Sequence, residues 1–260
     1  MNGISRLIVR SVLRKDVGTL LGRLSPDAVV CTHPLPACLI AEMKRKGLRV
    51  PLCTVLTDFD IHGYWTHPGV DLYCVPNQEM AAALRDRVKG QSEVRVTGIP
   101  IARSFGTEIP NLKRIGNSST KRILIMGGGL GIGVLPMVQQ IVQSDGKDEI
   151  TVVCGKNQAL RRELQEEYGD LSNVTILGYM RQVSRLMSTS DLLVTKPGGL
   201  TVSEALAMKL PMVLYTPIPG HEWRNGQLMS KLGVAVAART EIVAARMFGI
   251  YWRTNRLENG

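Results

Sequence analysis

Aromatic residues are scarce in this 260-residue chain, at 5%. No CxxC pair occurs among its five cysteines, Cys31, Cys38, Cys53, Cys74 and Cys154. That spacing and the odd count argue against a zinc site or a disulfide framework. Most of the cysteines sit in apolar runs, so they read as buried, reduced thiols of a cytoplasmic protein. No apolar run approaches the roughly 18 residues needed to span a bilayer, so any membrane contact is expected to be peripheral. Missing too are an RNA-binding aromatic signature and interleaved aromatics near the basic residues, which argues against nucleic acid as a partner. What is abundant is glycine, with 26 copies, and positive charge, with a formal net charge of +10. Such a balance favours anionic partners, among them phosphorylated small molecules and an anionic membrane surface.

Short apolar runs alternate with helical patterns along the chain, the mark of βαβ units on parallel sheets. Residues 1–103 read as one α/β domain, opening on a basic helix over 4–23. Strands are expected at 27–32, 50–56, 71–75 and 94–96. Residues 104–120 lose periodicity and fill with Pro, Asn, Gly and Ser, so they read as a linker. A second βα series runs over 121–240, with its last predicted element a helix over 222–232. The tail 241–260 is atypical, and both ends of the chain read as incomplete. Whether helix 4–23 lies on lipid or packs internally is left open by its pattern.

Three segments carry chemistry. Strand 122–126 delivers the chain into Gly127-Gly-Gly-Leu-Gly-Ile-Gly133 and a helix, an arrangement in which bare backbone N–H groups and a helix dipole converge on an anion. The run fits neither G-x-G-x-x-G nor a P-loop, and the next strand ends in Cys154-Gly-Lys156 without an acid for a ribose. A dinucleotide dehydrogenase is disfavoured. Four or five glycines here exceed what a packing turn needs.

The second segment is Lys196-Pro-Gly-Gly-Leu-Thr-Val-Ser-Glu204. Gly198 and Gly199 bare the backbone at a helix mouth, Thr201 can offer a hydroxyl to phosphate, and Glu204 can accept both hydroxyls of a ribose. The competing account is a Thr201–Glu204 capping box, which leaves Lys196 and the paired glycines unexplained. The third segment, Tyr215-Thr-Pro-Ile-Pro-Gly-His221-Glu222-Trp223-Arg224-Asn225, ends a strand at another helix start, where His221 and Glu222 suit sugar hydroxyls. In the first half, Asp58-x-Asp60 resembles a metal-holding acidic pair. The phosphate loops lie in the other half, however, and His62 and His67 share no helical face, so no metal is expected. A loop-ordering or acceptor-side role for Asp58, His62 and Trp65 fits better.

At these residues the chain resembles the bacterial diacylglycerol glucosyltransferases and plant-type monogalactosyldiacylglycerol synthases, which are similar to family 28 glycosyltransferases. The resemblance rests on Thr57-Asp-Phe with His62 and Trp65, on Val70-Asp71-x-Tyr73-x-Val-Pro76, and on Thr97-Gly-Ile-Pro100. It continues in the glycine turn, Val153-Cys-Gly-Lys-Asn157, Lys196-Pro-Gly-Gly-Leu-Thr-x-Ser-Glu-Ala205 and Pro217-Ile-Pro-Gly-x-Glu-x-x-Asn225. It implies a GT-B fold: two Rossmann-like α/β domains with parallel sheets, the amino-terminal one here incomplete. It also implies transfer of a hexose from UDP-glucose or UDP-galactose to diacylglycerol, without a metal or other cofactor, at the inner face of the cell membrane.

By the same resemblance, the donor is held by Gly127, Gly128, Gly129, Gly131, Met180, Lys196, Gly198, Gly199, Thr201, Glu204, His221, Glu222 and Asn225. Within that set Glu204 meets the ribose, Gly198, Gly199 and Thr201 the diphosphate, Met180 the uracil, and His221, Glu222 and Asn225 the hexose and its phosphate. The chain departs from the family in two ways. Nothing before Pro26 matches the Gly-x-Gly-His turn that supplies the usual active-site histidine, so no catalytic residue is assigned. His221 stands where the family has Gln. Two other readings remain: a UDP-sugar epimerase of the same fold, and a truncated nucleotide-sugar-binding remnant without turnover.

Overall fold

The computed structural model describes residues 3–106, apart from 62 and 64, and residues 120–240, apart from 146 and 216–220. The chain divides into two compact units, Met1–Pro100 and Ile101–Gly260. Most of the predicted linker, the whole tail, His62, and the proline-rich loop before His221 lie outside the described residues.

In the first unit, β1 (Val29–Cys31), β2 (Leu52–Val55), β3 (Leu72–Val75) and β4 (Glu93–Val96) form a parallel sheet in that order. Helix α1 (Gly3–Leu24) precedes it, α2 (Pro34–Lys44) links β1 to β2, and α3 (Gln78–Val88) links β3 to β4. The side chains of His33 and Asn77 cap α2 and α3, accepting from the N–H groups of Leu35 and Met80. Burial alternates along β2 and β3. Leu52, Thr54, Tyr73 and Val75 enter the core, while Cys53, Val55, Leu72 and Cys74 stay half-buried and Val30 is exposed.

The basic helix packs within the protein over its carboxyl half. Val17 and Leu21 join the first core, Arg14 reaches Glu42 of α2 at 3.0 Å, and Gly18 leaves space for Met43. The cysteine expectation is corrected in part. None of the five forms a disulfide, but only Cys31 and Cys154 are buried. Cys53 and Cys74 lie on neighbouring strands with their sulfurs 3.8 Å apart. Burial, and then the Cys74 thiol beside it, push the Cys53 thiol up to about 11.

The second unit holds six parallel strands: β5 (Arg122–Met126), β6 (Glu149–Val153), β7 (Val174–Leu177), β8 (Leu192–Thr195), β9 (Met212–Tyr215) and β10 (Ala235–Ala238). Their order is β10-β9-β8-β5-β6-β7. The chain steps outward from β5 to β7, returns to the other side of β5, and steps outward again through β10. The intervening helices are α4 (Val134–Asp145), α5 (Gln158–Tyr168), α6 (Val183–Thr189), α7 (Gly199–Ala207) and α8 (His221–Lys231). Every residue of β8 and β9 is buried, as expected of strands covered on both faces.

Strand β10 is absent from the sequence reading, which ends its elements at residue 232. Ala-Val-Ala-Ala has a weak strand signature. The left-handed Gly233 (φ +70°) ends α8 and returns the chain to pair with β9.

Asp71 joins the first sheet to its covering helix. Burial by itself would raise its pKa, but the hydrogen bond from Lys44, the Leu52 N–H at 2.6 Å and the Lys44 charge together hold it below the ordinary aspartate range. A carboxyl lowered in the folded state adds stability above its ordinary pKa, and that stability is lost as pH falls through the lowered value. Asp71 is more than half exposed, so the effect is modest. Asp71→Asn is expected to cost about 1 kcal/mol at neutral pH and to flatten the acid limb of a melting-temperature profile.

Candidate functional site

Strand order reverses between β5 and β8, and in open α/β sheets the crevice at the carboxyl ends of such strands is where ligands bind. The glycine turn leaves β5 at this point, and the Lys196-Pro-Gly-Gly turn leaves β8 beside it.

The seven-residue turn holds a single 3-10 turn, Gly128–Leu130, between Gly127 and a left-handed Gly131. Its glycines divide by role. A Cβ on Gly127 would meet Val134 Cγ2 at 2.5 Å, and one on Gly131 would meet Leu160 Cδ2 at 2.5 Å. These two are required by packing. Gly129 faces open space, and a Cβ on Gly128 would meet only Lys196 Cε, at 3.8 Å. The open pair is therefore the part of the turn that a ligand can approach.

Two side chains fasten this turn. Asn157 caps α5 through its carbonyl oxygen and donates from its amide to Leu130 O at 3.1 Å. Tyr215, at the end of β9, donates to Ile132 O at 3.0 Å. Lys156 N–H also donates to Gly129 O at 3.0 Å. These anchors were missed in the sequence. Val153-Cys-Gly-Lys-Asn157 contributed there only to the resemblance, and no local pattern shows that Asn157 reaches the turn.

Helix α7 opens on Gly198, an extended cap residue that makes no side-chain cap bond. The first bond of the helix runs from Val202 N–H to Gly198 O at 3.0 Å. Among the described residues, the N–H groups of Gly199, Leu200 and Thr201 are thus left for solvent or an anion. Because Gly198 is the cap, Thr201 and Glu204 both lie inside the helix, and the capping-box alternative is excluded. Glu204 is half-buried, and burial alone raises its pKa. No hydrogen bond or ion pair engages its carboxylate among the described residues. A half-buried carboxylate without a donor is costly, and a ligand with two hydroxyls would satisfy it.

The third segment arrives on α8. The Lys196 ammonium pairs with Glu222 at 3.0 Å. Asn225, fully buried, donates from Nδ2 to Pro197 O at 3.0 Å and so pins the neighbouring turn. At the ends of β6 and β7, Lys156 lies 5.8 Å from the ring of Tyr179, which is exposed and next to Met180. In the first unit, Asp58 and Asp60 are half-buried. The Trp65 side chain is 1% exposed and belongs to the core. Among the described residues no group of three or more His, Cys, Asp or Glu is placed to hold a metal ion.

Residues 5–101 match the family described as monogalactosyldiacylglycerol (MGDG) synthase, and residues 122–242 match the glycosyltransferase family 28 C-terminal domain. Together the two matches span most of the chain, which is similar to these glycosyltransferase families over both of its units. It is 34% identical over 230 residues to the processive diacylglycerol beta-glucosyltransferase of Bacillus pumilus (strain SAFR-032), covering 85% of this chain and 59% of that protein. Its identity to the Bacillus mycoides (strain KBAB4) protein of the same description is 36% over 238 residues, covering 88% and 60%. The chain thus spans about three fifths of the length of these relatives.

Among solved structures, Acinetobacter baumannii MurG superposes with a TM-score of 0.62 at 18% identity, covering 90% of this chain and 67% of that one. UDP-GlcNAc 2-epimerase from Neisseria meningitidis bound to UDP-GlcNAc gives 0.65 at 13%, covering 92% and 72%. The fold is GT-B. The amino-terminal sheet has four strands among the described residues and the carboxyl-terminal sheet six.

The division among the glycines is open to measurement. Gly131→Ala is expected to destabilise the second unit by about 2 kcal/mol, from its positive φ and the Leu160 clash. Gly129→Ala is expected to leave the melting temperature unchanged and to weaken UDP binding, read as a smaller UDP-induced melting shift. The Glu204 carboxyl supplies a pH test. With its folded pKa raised, its contribution to stability is full below the ordinary carboxyl range and is lost as pH rises through the raised value. Glu204→Gln is therefore expected to raise the melting temperature at pH 8 and to have no such effect at pH 4.

Proposed function

We propose that this chain binds a UDP-hexose in its second unit and that the hexose is transferred to diacylglycerol. The observation that carries the reading is the desolvated, unengaged Glu204 carboxylate, one turn inside a helix whose first N–H groups are free. A nucleoside diphosphate meets both needs: its phosphates take the amides and its ribose hydroxyls donate to the carboxylate. Lys156 and Tyr179 at the neighbouring strand ends suit a flat, polar base, in line with Met180 beside the uracil.

Glu222, and His221 where the family has Gln, lie at the α8 start and suit the hexose. Backbone amides aimed at the departing diphosphate supply the stabilisation that a metal provides in other transferases, so no metal or further cofactor is invoked. The names of the curated relatives favour glucose as the sugar and diacylglycerol as the acceptor, with galactose the alternative sugar. A formal net charge of +10 favours peripheral binding to an anionic membrane surface, on the cytoplasmic side where UDP-sugars are found.

UDP is expected to raise the melting temperature, and Glu204→Ala to remove most of that shift. Melting curves unmoved by UDP, UDP-glucose and UDP-galactose would sink the donor site. Mixing UDP-glucose with diacylglycerol in anionic vesicles should yield glucosyl-diacylglycerol. A UDP-sugar altered in the absence of lipid would replace transfer by epimerisation, and UDP binding with no product in either assay would mark a nucleotide-sugar-binding remnant.

A further inference from the structure

Lys196 stands where an anion is expected, yet its ammonium is already engaged. Nζ lies 3.0 Å from one carboxylate oxygen of Glu222 and 3.4 Å from the other. Both side chains are mostly buried, with exposures of 17% and 21%. The lysine stem passes the glycine turn, close to where a Cβ on Gly128 would stand. One side chain thus reaches from the end of β8, past the turn that leaves β5, to the first turn of α8.

We propose that Lys196 is a positioning residue for Glu222. It fixes that carboxylate for the hexose hydroxyls and cancels its charge beside the diphosphate. The pair, rather than the lysine alone, then sets the preference for a UDP-hexose over UDP. This rests on the donor-site reading above and adds to it a role for a residue that would otherwise pass as a simple phosphate contact.

Two physical arguments separate the roles. A lysine drawn to the diphosphate would leave Glu222 partly buried, unpaired and next to a dianion, the arrangement that makes breaking a desolvated pair costly. The geometry also fixes Glu222 before any ligand arrives. Its carboxylate lies in the first turn of α8, where the helix dipole favours negative charge. Asn225, three residues on, ties the same helix to Pro197 O. The ion pair and the amide bond both start from residues 196 and 197, so the α8 start and the β8 turn are fastened to each other twice. A carboxylate held this way binds a hydroxylated ring without first paying to be ordered.

The test uses the full chain in four forms: wild type, Lys196→Met, Glu222→Gln and the double variant. Each is titrated calorimetrically with UDP and with UDP-glucose after its melting curve confirms folding. Lys196→Met is expected to weaken UDP roughly tenfold by exposing the diphosphate to an uncompensated Glu222, and adding Glu222→Gln should bring UDP affinity back to within about threefold of wild type. UDP-glucose should remain weakened in all three variants.

Glu222→Gln alone, which keeps the shape of the side chain, should leave UDP binding intact or tighter while removing the advantage of UDP-glucose over UDP. That comparison decides the matter even if Lys196→Met does not fold. A double variant no better than Lys196→Met, or a Glu222→Gln protein that weakens UDP as much as UDP-glucose, would overturn the positioning role while leaving the donor site standing. Wild-type protein that takes up no UDP would overturn the donor site, and this role with it.

Discussion

The reversal of strand order between β5 and β8 is the constraint on which the site depends. It brings two backbone turns from distant parts of the sequence to the same edge of one sheet. The glycine turn has one short 3-10 turn of its own, and the turn after β8 a bond from Gly198 N–H to Lys196 O. They are secured by uncharged polar side chains from elements further along the chain: Asn157 and Tyr215 for the glycine turn, Asn225 for the turn after β8. Buried amides and hydroxyls of this kind give rigidity without adding net charge beside a site meant for an anion. The free N–H groups of α7 then stay aimed at one spot.

The charged groups at this edge divide into two states. Glu204 carries an uncompensated desolvation cost, which the proposed ribose contact would relieve. Glu222 is already neutralised by Lys196. A carboxylate that waits for hydroxyls and another held in place by a cation are different preparations for the same kind of recognition. The first trades fold stability for affinity, and the second trades lysine charge for orientation.

Much of this architecture is legible in the sequence, because buried parallel strands print as apolar runs and helix starts carry cap residues. Ile123 to Met126 and Leu192 to Thr195 are examples of the first, Asn77 and Asn157 of the second. The Lys196–Glu204 motif could be placed at a helix mouth before any coordinates, since Gly198 and Gly199 mark the turn. What stayed hidden depends on distance in space. Ala235–Ala238 becomes a strand only because β9 offers an edge. Gly127 and Gly131 answer to Val134 and Leu160, which no motif links to them. Thr201 and Glu204 match the capping-box spacing, yet the helix begins two residues before Thr201.

The two sheets also differ in how their strands are covered, and this bears on how such a sequence can change over time. In β2 and β3 every second side chain is only half-buried, so those positions are free to drift among residues of tolerable shape. In β8 and β9 nearly any exchange disturbs packing on one face or the other. Divergence along a lineage should therefore accumulate faster in the strands of the first unit. The second unit would keep its sequence through its core as well as through its site.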